Sequence, residues 1–156
     1  MIRKDLYEHI SPMMNHAYMQ KKWFEWKFKP LCKEYGLKNS EFSILLSLHL
    51  NPEIKSAVDI EKFSEMKRGN ICICVEILCH KGYLKQMTSE NDRRFKTLHL
   101  TEKANEILNK GDAIINEYCE SLFSNIAKED FEACDRVFEQ MNINLKKLYE
   151  RKLEEK

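Results

Sequence analysis

The sequence predicts a mainly α-helical fold that carries one small two-stranded β-hairpin, with long helices at both ends of the chain. Gly and Pro are scarce among the 156 residues, at 4 and 3 respectively, whereas sandwiches and barrels need many turns. Apolar residues recur at spacings of three and four along most of the chain, and the period changes to an alternation near residues 83–100.

The composition limits the function classes that are open to the chain. Hydrophobic residues make up 43% of it, which is enough for a core, and charged residues make up 33%. The net charge is only +1, so any phosphate contacts must come from local basic clusters rather than from a global field. No apolar run can span a bilayer, and residues 1–5 lack the apolar stretch of a secretory signal. We therefore expect a cytoplasmic protein with no membrane partner.

Four helices are predicted before the hairpin. The first covers residues 5–28 with a wide apolar stripe, and Pro30 and Gly36 are expected to break or bend the chain. The second ends near Pro52, because the residue before a proline is pushed out of helical geometry. A short third helix begins after Ser56, which resembles the start of a capping box.

The fourth helix is predicted from Arg68 to His80, with Gly82 just beyond its end. Residues 83–87 and 95–100 are predicted strands that enclose a turn, and Thr101 is expected to cap the helix that follows. Two long helices, about 102–124 and 128–150, complete the chain, and the second has a heptad-like apolar stripe.

Three helices followed by a hairpin form the layout of a winged helix-turn-helix. We expect residues 37–101 to form this lobe. Residues 1–36 and 102–156 are expected to form a helical dimerisation region, because the apolar faces of the long helices are too wide for so small a domain to cover. The sequence therefore predicts a winged helix-turn-helix homodimer.

The most specific motif runs from Lys81 to Thr101. Its segments are Lys81-Gly82-Tyr83-Leu84, Asp92-Arg93-Arg94 and Leu100-Thr101-Glu102-Lys103. In this order they closely resemble the wing of the MarR family of transcriptional regulators, and the resemblance covers roughly residues 40–110. It implies a dimeric regulator, more often a repressor than an activator, that binds double-stranded DNA through residues 37–101. It also implies a small aromatic effector.

The tip of the predicted hairpin carries two adjacent arginines. Arg93 and Arg94 suit the negative potential of a minor groove or the phosphates beside it. Asp92 can hold one of them by a charge-assisted hydrogen bond. The resemblance favours Arg94 as the groove arginine and Asp92 as its structural partner.

The same resemblance makes residues 68–80 the recognition helix, whose N-terminal end enters the major groove. Arg suits guanine and Asn suits adenine, so Arg68 and Asn70, with Lys67 just ahead, are candidates for base or phosphate contact. Further lysines are candidate phosphate partners: Lys55, Lys85 and Lys96.

The outer face of this helix departs from the family pattern. It carries Gly69, Cys72, Ile73 and Ile77 where polar or basic residues are usual. Such a face favours an alternative function on the same fold, namely a thiol-based redox sensor or a protein-interaction module with little sequence-specific DNA binding. Cys72 is the candidate redox residue.

The remaining chemistry is sparse. The six cysteines are expected to be free thiols in a reducing compartment, with Cys32 beyond the first helix. Cys72 and Cys74 do not converge on one helix face, so no metal site is expected. Phe42 follows Glu41 where zinc-sensing members of the family have histidine. No catalytic motif is visible, so we expect neither an enzyme nor a cofactor.

Aromatic and methionine side chains cluster in the first helix. Such a cluster is typical of core or dimer interface, and it is also a candidate wall for the effector pocket. The candidate pocket residues are Met14, Tyr18, Trp23 and Phe24.

Overall fold

The computed structural model describes residues 4–88 and 96–154. Their elements are α1 (Lys4–Glu34), α2 (Asn39–Leu50), α3 (Ala57–Phe63), α4 (Arg68–His80), β1 (Leu84–Thr88), β2 (Lys96–Leu100), α5 (Glu102–Leu122) and α6 (Lys128–Glu154). The predicted element order and the mainly helical winged helix-turn-helix fold are confirmed. The chain comprises two compact units, Met1–Asn116 and Glu117–Lys156. Within the described ranges, no helix combines the length and the apolar character needed to cross a membrane.

Helix α1 is longer than the sequence predicted. It continues through Pro30 to Glu34, so the break expected at Pro30 is wrong. Proline removes one helical hydrogen bond, to the carbonyl of Trp26. Both residues are exposed, so water can satisfy the freed oxygen. Cys32 therefore lies inside α1, where it is buried, and not beyond the helix as expected.

Two glycines end α1 and α4 in the same way. Gly36 and Gly82 have φ angles of +62° and +77°, a region that favours glycine. After α1, the Leu37 N–H donates to the Cys32 carbonyl at 2.8 Å and the Gly36 N–H donates to the Lys33 carbonyl at 3.2 Å. The equivalent pair of bonds follows α4, and both ends are Schellman motifs.

The core of the first unit lies where α2 and α4 meet the final turns of α1 and the start of α5. Ile71, Leu78 and Ile107 are fully buried in it. The Phe42 ring packs edge-on against Phe28, with ring centroids 5.0 Å apart. The apolar face predicted for α4 is confirmed, because Ile71, Cys74, Val75 and Leu78 are all buried.

The hairpin is antiparallel, and its register pairs Leu84 with Leu100 and Thr88 with Lys96. The Leu98 N–H donates to the Lys55 carbonyl at 2.8 Å, which attaches β2 to the segment before α3. The Thr101 hydroxyl donates to the carbonyls of Gly82 and Tyr83 at 2.7 and 3.2 Å. The Thr101 carbonyl accepts the Ala104 N–H at 3.0 Å. Thr101 therefore begins α5 through its backbone, whereas its hydroxyl, predicted to cap the helix, instead ties the start of α5 to the base of the hairpin.

In the second unit, α6 presents a long uncovered apolar surface. The Phe123 and Phe131 rings pack edge-on at 5.0 Å between centroids, and Asn125 turns the chain with a φ of 61°. Beyond that turn, the large apolar side chains described in α6 are all exposed in the single chain: Phe131, Val137, Phe138, Met141, Ile143, Leu145, Leu148 and Tyr149.

Candidate nucleic-acid interface

Helix α4 presents one buried face and one open face. Opposite the buried stripe, its exposed residues are Arg68, Gly69, Asn70, Cys72, Ile73, Glu76 and His80. Ile77 is half-buried at the edge of this face. The predicted recognition helix is therefore a surface helix whose whole outer side is available to a partner.

The N-terminus of α4 is exposed, and no described side chain caps it. Lys67 is the N-cap residue, with extended backbone at φ −67° and ψ 144°. Its carbonyl accepts the N–H of Asn70 at 2.9 Å and of Ile71 at 3.1 Å. Within the described chain, this N-terminus has no side-chain cap and no acidic residue in its first turn. The positive end of the helix dipole is thus left for an external anion.

Helix α3, unlike α4, begins with a side-chain cap. Ser56 is its N-cap, and the Ser56 oxygen accepts the Asp59 N–H at 3.2 Å. The Ser56 hydroxyl donates to the Asp59 carboxylate at 2.7 Å, and this bond, the largest contribution, helps hold the Asp59 pKa below its ordinary value. The predicted capping at Ser56 is confirmed.

Arg68 is held by an ion pair in the free chain. Its guanidinium donates to Glu61 Oε2 at 3.2 Å, with both side chains about half exposed. An exposed pair of this kind contributes about 0–1 kcal/mol. Arg68 can therefore exchange the carboxylate for a phosphate or a base at little cost.

A groove lies between α4 and the hairpin. It has a volume of about 430 Å³, and its walls include Arg68, Cys72, Cys79, Gln86 and Lys96. Burial raises the pKa of the Cys79 thiol, and the nearby positive charge of Lys96 opposes that shift. Lys96 is the first residue of β2 and is exposed.

The other predicted contact residues are placed as follows. Lys67 and Asn70 are exposed at the start of α4, and Lys55 and Lys85 are exposed before α3 and in β1. The structure brings Arg68 and Lys96 to one groove. Asp92, Arg93 and Arg94 lie outside the described residues.

An ion pair around the buried Glu41 fixes the far end of α4, and no local sequence pattern indicates it. Lys81 Nζ donates to Glu41 Oε2 at 2.9 Å and to the Gly36 carbonyl at 2.7 Å. Glu41 is only 2% exposed, and it also accepts the Lys38 N–H at 3.3 Å. Burial, together with the Glu41 charge, raises the pKa of the Cys32 thiol to about 11. This pair ties together α4, the start of α2 and the end of α1.

The four pocket residues predicted in α1 differ in burial. Met14 and Tyr18 are exposed, whereas Trp23 and Phe24 are half-buried. The Phe24 ring stacks on Phe28 with a centroid distance of 5.3 Å. Of the four, Phe24 alone lines the apolar cavity beside α1.

That cavity lies between α1, α2 and the segment that links α3 to α4. Its volume is about 590 Å³, with an apolar lining that includes Phe24, Phe28, Leu46, Phe63 and Met66. Lys21 is at its edge, where its ammonium group forms an ion pair with Glu65. Phe63 and Met66 could not be found from the α1 pattern because they come from a different part of the chain.

The thiols occupy different environments. Cys72 is exposed, Cys79 is half-buried and Cys74 is buried. The Cys74 thiol donates to the Ser40 hydroxyl at 3.7 Å. Among the described residues, no group of three His, Cys, Asp or Glu side chains is placed to hold a metal ion.

Several solved structures have a similar fold. A MarR transcriptional regulator from Methanosarcina mazei Go1 matches with a TM-score of 0.67 and 22% identity, covering 90% of this chain and 99% of the other. A MarR protein from Peptoclostridium difficile DA00132 matches with a TM-score of 0.64 and 19% identity, covering 92% and 89%. The transcriptional regulator BldR from Sulfolobus solfataricus matches with a TM-score of 0.64 and 20% identity, covering 90% and 99%. At these identities the likeness concerns the fold.

The element order and the two-stranded hairpin give the chain the winged helix-turn-helix fold of these MarR structures. A family model described as transcriptional regulator SarA/Rot matches residues 27–110, which is more than half of the chain. The chain belongs to this SarA/Rot family. Its members are transcriptional regulators and not enzymes, and membership implies DNA as the partner.

Proposed function

We propose that the chain is a homodimeric repressor that binds duplex DNA through α4 and the hairpin and is released by a small amphipathic ligand. The observation that carries this proposal is the outer face of α4, which is exposed along its length and begins at an N-terminus without a side-chain cap. Backbone N–H groups and basic side chains at such a helix end are suited to phosphate oxygens.

The proposed contacts fall into two sets, one in the major groove of the DNA and one in the minor groove. Lys67, Arg68 and Asn70 bind base edges or phosphates in and beside the major groove. Arg94 enters the adjacent minor groove with Arg93 beside it, and Lys96 binds a phosphate. Asp92 orients one of the arginines.

The proposed dimer uses the apolar stripe of α6, together with the other long helices. Residues such as Phe138, Leu145 and Leu148 are exposed in the single chain, and an apolar strip of this length is typical of the core of an obligate interface. The twofold axis sets the two α4 helices about 34 Å apart, the distance of one DNA turn. The operator is then a near-palindrome.

The proposed effector site is the 590 Å³ cavity. Its aromatic lining and the Lys21 ammonium at its edge fit a small aromatic carboxylate, because the ring fills the apolar space and the anion replaces Glu65. The cavity walls come from α1 and from the α2–α4 lobe. A ligand there acts if it binds one spacing of the two α4 helices more tightly than the other.

The test is selective DNA binding. The full chain is used to select duplexes from a random library, and the dissociation constant is measured against salt on the selected and a scrambled duplex. The proposal predicts a near-palindromic selected sequence that binds at least a thousandfold tighter than the scrambled duplex, the lower end of the usual specificity range. Equal, weak binding to both duplexes contradicts it.

Thiol control is a second candidate function, and the exposure of Cys72 on α4 favours it. Oxidation of this thiol adds charge and bulk on the face that is proposed to meet DNA. Mild peroxide should then weaken DNA binding by wild type but not by Cys72→Ser. An equal response of both proteins excludes Cys72 as the sensor.

A further inference from the structure

One glycine has no structural reason within the described chain. Gly36 and Gly82 need positive φ angles, and Gly111 packs against Phe42. Gly69 lies in α4 without a left-handed backbone. A methyl group added there would meet no described atom within 4 Å outside its own helix and neighbours. Alanine is a better helix former than glycine, so folding alone does not explain this residue.

Gly69 shares its face of α4 with Ile73, since residues four apart are neighbours on a helix. Ile73 is 57% exposed, and Cys72 beside it is exposed as well. The first two turns of the outer face therefore form a shallow strip, with no side chain at Gly69 and a branched apolar side chain one turn later. Glycine is suited to positions where a ligand must approach the backbone closely.

We propose that this strip is a close-approach surface on which Ile73 reads the C5-methyl group of a thymine in the major groove. The absence of a side chain at Gly69 lets the first turn of α4 lie deep in the groove. Ile73 then packs on the methyl group, which cytosine and uracil lack and which is an established target of apolar side chains. The inference rests on the proposed DNA-binding function and adds a specificity-determining residue to it.

The charges around the strip favour DNA over a protein as its occupant. Lys67 and Arg68 flank the start of α4, and the exposed Lys96 of the hairpin lines the same groove as Arg68. An apolar strip between basic side chains matches base edges between two phosphate backbones. Glu76, one turn beyond Ile73, is exposed, and under this proposal its carboxylate can accept a hydrogen bond from the amino group of a cytosine.

Deoxyuridine substitution tests the methyl contact directly. In a duplex selected by the full chain, each thymine is replaced in turn by deoxyuridine, which removes one methyl group and keeps base pairing. We expect one thymine in each half-site at which the loss weakens binding about fourfold, the effect of burying one methyl-sized group. The salt dependence should stay unchanged because no phosphate contact is lost. Ile73→Ala should bind both duplexes equally, and Ile73→Val should keep the discrimination.

Gly69→Ala tests the close approach. It should leave the urea midpoint unchanged or higher, because alanine favours the helix, yet weaken binding to every selected duplex. Asn105→Ala is the matched control, since Asn105 is exposed in α5 and its smaller gain in helix propensity should leave DNA binding as in wild type. Wild-type affinity in Gly69→Ala would contradict the close approach.

The failure modes are distinguishable. Selective binding that is indifferent to deoxyuridine at every position, or a thymine preference that survives in Ile73→Ala, overturns this inference and leaves the proposed function standing. If the wild type selects no sequence at all, the proposed function fails, the methyl readout fails with it, and a protein becomes the expected occupant of the apolar strip.

Discussion

Gly111 of α5 lies directly against the ring of Phe42 in α2, so close that a methyl group on the glycine would come within 2.9 Å of Phe42 Cζ. The same ring packs on Phe28 of α1. Three helices therefore meet around one aromatic side chain, and a side chain at position 111 would need the Phe42 ring to move.

Gly111→Ala is expected to destabilise the fold despite the higher helix propensity of alanine. Propensity alone would stabilise by about 1 kcal/mol, whereas overpacking a tight contact costs about 1–3 kcal/mol. The free energy of unfolding in urea should fall, and Gly111→Ala should cost less in a Phe42→Leu background than in wild type, because the smaller side chain relieves the contact. A rise in stability for the single variant would show that Phe42 moves aside freely.

Lys81→Met is expected to leave Glu41 buried without its cation. Glu41 is 2% exposed and Lys81 about one third exposed. Removing one partner of a buried pair costs about 3–5 kcal/mol, and the partial exposure of Lys81 places the loss near 3 kcal/mol. The urea midpoint reports it. Lys33→Met, at an exposed position near the end of α1, should change stability by less than about 0.5 kcal/mol. Equal values for the two variants would contradict the role given to Lys81.

Asp59 should make the stability of the lobe depend on pH. The Ser56 hydrogen bond, with smaller contributions from the Lys55 N–H and Lys62, lowers the Asp59 pKa in the folded chain. Its contribution to stability is therefore present above the ordinary pKa of 3.8 and is lost as the pH falls through the folded value. Asp59→Asn should be less stable at pH 7 by about 0.3–1 kcal/mol.

The check on Asp59 is urea unfolding between pH 7 and pH 3. The gap between wild type and Asp59→Asn should close as the pH falls below about 4. Glu53→Gln, exposed in the loop between α2 and α3, serves as the control for a carboxylate outside the cap. A gap that stays constant across this range would mean that Asp59 acts through its shape and not its charge.

Much of the fold was predictable because local signals agree with the tertiary structure. The capping at Ser56, the glycine after α4 and the change of period at the hairpin each act over a few residues. Local rules failed at Pro30, where burial of Leu31 and Cys32 holds the next turn against the core and outweighs one lost hydrogen bond. Tertiary packing of the following turn can therefore override the helix-breaking tendency of proline.

The exposure of the α4 outer face was predictable, but the ion pairs that support it were not. The outer face of α4 follows from its apolar period. The Glu61–Arg68 and Glu41–Lys81 pairs join side chains from different helices, and no local spacing distinguishes them from solvated surface charges. The cavity shows the same limit. Phe24 was predicted from the apolar pattern of α1, whereas Phe63 and Met66 line the cavity only because of tertiary packing.

The exposed stripe of α6 should control the oligomeric state. Leu145→Glu places a carboxylate in the middle of the apolar surface, next to Leu148 and Met141 on the same face. Desolvating that charge in an interface is strongly unfavourable, so sedimentation should show a monomer. Lys146→Glu adds the same carboxylate to the polar side of α6 and should leave the dimer intact. A wild-type monomer at micromolar concentration would remove α6 as a dimer interface.

Arg94 is expected to contribute to DNA affinity through the minor groove. Arg94→Ala should weaken binding by about 1–3 kcal/mol in a gel-shift titration at fixed salt, and Arg94→Lys should restore only part of the loss because a narrow groove favours guanidinium. Lys29→Ala, exposed on α1, removes one positive charge from a site that the proposal keeps away from DNA, and it should bind as wild type. Unchanged affinity in Arg94→Ala would remove this residue from the interface. A loss shared equally by Arg94→Ala and Lys29→Ala would show that only net charge matters, because a groove contact depends on where the charge is held.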